Sequence, residues 1–103
     1  MKLNEFRDIL KLAGVPVYKD YAHKQDGRYI VWYEIKPRSL RADGGTAEKN
    51  SRFGVDFFTK EDVSDIPVLL EGIFAQNDIA YSDYDVDFEE DTKYTHYAWT
   101  VEA

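Results

Sequence analysis

An α+β domain with a mainly antiparallel sheet and two helices on one face follows from three features of the sequence. Two segments carry apolar residues at helical spacing, several short runs are rich in β-branched and aromatic residues, and these alternate in the order α-β-β-β-α-β-β. The length of 103 residues fits a single domain, residues 1–103. A core of this size must be efficient, and 8 Tyr, 6 Phe and 2 Trp provide the material. The aromatic surplus is expected at the surface, where Tyr and Trp favour interfaces.

The first helix is expected over Asn4–Ala13, because Leu3, Phe6, Ile9, Leu10 and Ala13 recur on one face. Asn4 is placed as its N-cap, Gly14 ends it and Pro16 prevents continuation. Val15–Tyr18 reads as an edge strand, since its proline has no amide proton to donate. A polar turn then leads to Arg28–Ile35, β-branched and aromatic as in a strand covered on both faces. Arg52–Thr59 resumes as its hairpin partner after the hydrophilic stretch Arg38–Asn50.

The second helix is expected over Ile66–Gln76, with Asp65 as N-cap, Pro67 in the first turn, and Ile66, Leu69, Leu70, Ile73 and Phe74 as its apolar stripe. Ile79–Glu102 reads as a two-stranded unit turning at Glu90–Lys93. A four-residue turn there sets Glu89 opposite Tyr94, Val86 opposite Tyr97 and Tyr84 opposite Trp99. One face then gathers Tyr84, Val86, Phe88, Tyr97, Trp99 and Val101, and the other Asp83, Asp85, Asp87, Glu89 and His96. A one-residue slip would scatter the aromatics over both faces, so the pattern selects this register.

Composition narrows the function. With no Cys there is neither a disulfide nor a thiolate nucleophile or ligand. The N-terminal residues lack the apolar core of a signal peptide, and no apolar run approaches the ~20 residues of a membrane span, so the cytosol is the expected compartment. A net charge of −7 disfavours binding to nucleic-acid phosphates.

No catalytic or cofactor-binding residue is assigned. Asp83, Asp85 and Asp87 have the spacing of a calcium loop's first ligands, but Phe88 and Tyr94 stand where that loop needs Gly and Glu. The row reads as the solvated face of a strand. His96, opposite Asp87, reads as half of a cross-strand ion pair, and His23 as a solvated turn residue. Two separated histidines without cysteine make a zinc site unexpected. The acid pair Glu34 and Asp56 reads as a coincidence of an acid-rich chain, and Gly44-Gly45 lacks the Lys-Ser/Thr of a phosphate loop. The remaining candidate is an assembly loop: Lys36, Arg38 and Arg41, followed by Asp43, Gly44, Gly45 and Lys49, place cations on an acidic protein. This stretch is too long and polar to order itself through its own contacts, so a docking arm ordered on assembly is expected.

The sequence also resembles the small tail-terminator, or tail-completion, proteins of tailed bacteriophages and prophages. The pieces that carry the likeness are Val15-Pro16-Val17-Tyr18, Tyr29-Ile30-Val31-Trp32 and Asp56-Phe57-Phe58-Thr59-Lys60, then Glu89-Glu90-Asp91-Thr92 and His96-Tyr97-Ala98-Trp99. The resemblance implies a non-enzymatic ring, typically of six subunits, that needs no cofactor. Its partners would be other copies of itself, the tail tube protein and the head-connector protein. It would assemble in the host cytoplasm and end in the virion tail, with DNA passing through an acidic channel. A head–tail joining (neck) protein shares this size and acidity, and a small ligand-binding or regulatory module is the remaining alternative.

Overall fold

The computed structural model describes residues 1–25, 27–35 and 51–103. Eight elements follow in order among them: α1 (Leu3–Lys11), β1 (Val17–Lys19), β2 (Tyr29–Ile35), β3 (Arg52–Thr59), α2 (Ile66–Gln76), β4 (Ala80–Tyr81), β5 (Asp85–Glu89) and β6 (Tyr94–Glu102). The fold is α+β in the expected order, with the two-residue β4 added ahead of the terminal hairpin. The sheet runs β1-β2-β3-β6, and the far side of β6 is shared by β5 along its first half and β4 at its end.

The sheet is mixed because β1 lies parallel to β2, with Val17 beside Ile30 and Lys19 beside Trp32. Parallel neighbours need a crossover rather than a tight turn. Here the crossover is the polar stretch after Lys19, which passes over the face of the sheet away from the helices. It is held there by Tyr94, whose hydroxyl donates to the Gln25 carbonyl at 3.0 Å. Beneath it, Tyr29, Val31 and Tyr94 are buried, with Tyr18, Ala22 and Phe58 packed against them.

Both helices cover the opposite face. Along β3 the alternation is regular: Phe53, Val55, Phe57 and Thr59 are buried, while Asp56 and Phe58 are half-buried beneath the crossover side. Phe6 of α1 stacks on Phe53 with centroids 4.1 Å apart and meets Trp32 edge-on at 5.4 Å. Leu10, Ile66, Leu70, Ile73 and Phe74 complete the helix side of this core, against Ile30, Trp99 and Val101 of the sheet. On the other face the ring of Tyr33 lies over Gly54, in the space a Cβ would need, so glycine permits that approach.

The hairpin register is the expected one, with Glu89 beside Tyr94, Asp87 beside His96 and Val86 beside Tyr97. Its four-residue turn closes through the Lys93 amide donating to the Glu89 carbonyl at 2.8 Å, with Lys93 at φ 65°.

Several local expectations are corrected. Helix α1 begins at Leu3, so Asn4 lies inside its first turn, and Lys2 holds the N-cap position without a side-chain cap. Asp65 is at the N-cap of α2 but makes no cap bond; the neighbouring Ser64 hydroxyl accepts the Ile66 amide instead, at 3.3 Å. Leu69 belongs to the exposed side of α2, not to its buried stripe. The first strand begins at Val17, two residues later than expected, because Pro16 can offer only its carbonyl, which accepts the Ile30 amide at 2.8 Å.

Candidate interaction surfaces

Helix α2 is apolar nearly all round. Ile66, Pro67, Leu70, Ile73 and Phe74 are buried, yet the side turned away from the core carries Val68, Leu69, Gly72, Ala75 and Gln76. Val68 is 76% exposed and Leu69 43%, and Val63, just before the helix, is 87% exposed. The only charged residue of the helix is Glu71, and it points inward to accept the Trp99 indole N–H at 3.0 Å. A surface helix ordinarily turns charge to water, and one that is apolar all round is ordinarily buried. A Cβ added at Gly72 would meet no atom within 4 Å, so the packing of this chain does not require glycine there.

The terminal hairpin exposes a second apolar surface. Tyr84, Val86 and Phe88 point to the same side of the sheet as the helices, with the parity expected from the sequence, but β5 lies beyond the helix layer. Val86 is 55% exposed and Phe88 53%. Tyr84 is better supported, edge-on to Tyr97 at 5.4 Å and to Trp99 at 5.3 Å. Of the six residues that the expected register gathers on this face, only Trp99 and Val101 are buried, with Tyr97 half-buried.

The face away from the helices has a different character. Tyr29, Phe58 and His96 are direct cross-strand neighbours and form one row of stacked rings, with centroids 4.9 and 4.3 Å apart. Beside this row sits Asp56, between the short neighbours Val31 and Ala98. A cavity of about 250 Å³ opens above it, walled by Tyr21, Gln25, Tyr29 and Phe58.

His96 Nε2 is 3.4 Å from Asp56 Oδ1. That is long for a hydrogen bond, and Nε2 has no other partner among the described residues. The Asp56 contact raises the His96 pKa above its ordinary value; burial opposes the rise, and the charges of Asp56, Glu89 and Asp87 add to it. Burial first, and then the Asp56 charge, also pushes the Tyr33 phenol up.

The structure sorts the residues weighed in the sequence. His96 is paired in register with Asp87 as expected, but its ion pair is with Asp56, one strand over on the other side. Glu34 is the register partner of Phe53 and Asp56 of Val31, so the two acids lie on opposite faces of the sheet and form no pair. Asp85, Asp87 and Glu89 share one face of β5 and are exposed. Among the described residues no group of three or more His, Asp or Glu is arranged to hold a metal ion. Lys36, Arg38, Arg41, Asp43, Gly44, Gly45 and Lys49, the expected assembly loop, lie outside the described residues. Sequence reasoning passed over the outward face of α2 and the inward role of Glu71. The signal for both was present: a helix with a single charge in eleven residues.

Among the described residues no helix is long and apolar enough to cross a membrane. No protein-family model matches the chain, and no curated protein matches it.

Proposed function

We propose that this protein is a structural component of a phage or prophage virion, a tail terminator that assembles as a ring, caps the tail tube and joins it to the head connector. It works without catalysis or cofactor, assembling in the host cytoplasm and remaining in the virion tail. The observation that carries the assembly part of this reading is the uncharged outward face of α2. On a chain where 32% of residues are charged, an exposed helix face of Val68, Leu69, Gly72 and Ala75 is best explained by a neighbour that covers it. The virion part rests on the sequence resemblance, and the net charge of −7 suits a channel through which DNA slides without adhering.

A head–tail joining ring would use the same helix face and differs only in position along the virion. The ligand-module alternative draws on one observation, the cavity of about 250 Å³ above Asp56.

Two tests bear on the proposal. Genes for a major tail protein and a tape-measure protein are expected immediately downstream; a metabolic or regulatory neighbourhood contradicts the virion role. Negative-stain electron microscopy of the concentrated protein is expected to show closed rings, and a field of uniform small monomers contradicts the ring.

A further inference from the structure

Strand β5 combines three features that the self-assembly reading leaves unused. It pairs only with β6, so its outer edge has no strand neighbour among the described residues. All five of its residues are exposed. Its two faces differ: Val86 and Phe88 present apolar side chains on the helix side, and Asp85, Asp87 and Glu89 present carboxylates on the other. None of these three carboxylates is in an ion pair with Lys or Arg among the described residues. His96, the register partner of Asp87, is held by Asp56.

Acidic side chains on an edge strand ordinarily serve to repel unwanted pairing. Repulsion of that kind acts selectively. It opposes a second β5, which would set acid against acid, and it attracts a strand bearing cations. Were protection the whole purpose, two half-exposed apolar residues on the same strand would work against it, since they reward any strand that arrives. From this combination we propose that the outer edge of β5 receives an extended segment of a different protein, one that alternates basic and apolar residues.

Such a segment would add a strand to the sheet. Its backbone would pair with the open edge of β5, its apolar side chains would cover Val86 and Phe88, and its cations would lie over Asp85, Asp87 and Glu89. Strand addition of this type takes affinity from main-chain hydrogen bonds and specificity from the alternate side chains. The described strands of a second copy do not fit, because none of them alternates basic and apolar residues: β2 and β6 contain no Lys or Arg, β3 has only Arg52 and β1 only Lys19.

The test uses the full-length protein and two synthetic peptides of the same composition. One alternates Lys and Val, and the other carries the same residues in two blocks. The alternating peptide is expected to bind at least tenfold more tightly by calorimetry, and on binding the β5 amides should become protected from hydrogen exchange. Reversing two charges of the strand (Asp85→Lys with Asp87→Lys) should weaken binding at least tenfold. The same charge change on α1 (Glu5→Lys with Asp8→Lys) should alter it less than twofold. Equal binding of the two peptides, or of the two double variants, overturns the proposal. So does binding that leaves the β5 amides unprotected. Because β5 and the outer face of α2 are separate elements, a protein that fails to form rings still gives an answer here.

Discussion

His96 is the residue whose behaviour is most directly tied to its surroundings. The Asp56 contact raises its pKa in the folded protein, so the protonated form favours folding. The sign follows: its contribution is full below the unfolded value of about 6.5 and is lost as the pH rises through the higher folded value. The advantage of the parent over a His96→Asn variant in urea titrations is therefore expected to be larger at pH 5.5 than at pH 8.5. A difference that is the same at both values, or larger at the alkaline one, contradicts the pair. Trp32 and Trp99 are each 2% exposed and sit in contact with aromatic neighbours on the helix face. Replacing either by Ala is expected to cost about 3–5 kcal/mol. For Trp99 the change also leaves the Glu71 carboxylate without its donor. Losses under about 1 kcal/mol for both would place the core elsewhere.

At the scale of the elements, much of the fold was legible because local chemistry and burial agree. The register of the β5–β6 hairpin followed from alternation alone, and it holds even though Val86 and Phe88 stay exposed, because Tyr97, Trp99 and Val101 still fix which face turns inward. The parallel pairing of β1 was not legible: three residues, Val17–Lys19, carry no signal for direction, and the deciding contacts come from distant residues such as Tyr94. Asp65 holds the expected N-cap position of α2, but the capping bond goes to Ser64, since both are able acceptors and the order of residues does not choose between them. The two surfaces proposed for assembly and docking were half visible. Val86 and Phe88 stood out on the aromatic face of the hairpin, and only the extent of the helix layer shows that they lie outside the core; on α2, Leu69 was placed in the buried stripe and Val68, Gly72 and Ala75 were passed over.

Two predictions belong to this scale. Gly72→Ala is expected to stabilise the monomer by about 0.5–1 kcal/mol, because alanine is the better helix former and its methyl group meets nothing. Urea titration at a concentration where the protein is monomeric measures this, and a loss of stability would mean that the site is crowded within the chain. Calcium at millimolar concentration is expected to leave the Tm within about one degree, since the carboxylates of β5 form a strand face and not a chelating loop. A rise of several degrees with calcium, absent with magnesium, would overturn that account.

Among the described residues, exposed apolar side chains gather on α2 and on β5 of an acidic chain, apart from scattered ones such as Leu12 and Tyr21. An acidic exterior opposes contact between like-charged surfaces, and the uncharged outward face of α2 is free of that repulsion. A helix-to-surface contact of this kind closes into a ring when the rotation between neighbours divides a full turn, and otherwise runs on as a filament. Sedimentation velocity over a wide concentration series, on the parent and on a Val68→Lys variant, tests this claim most directly. The parent is expected to shift with concentration to one closed oligomer, while the variant stays monomeric with an unchanged Tm, because Val68 is 76% exposed. A parent that remains monomeric throughout, or a variant that assembles as readily as the parent, would contradict the account.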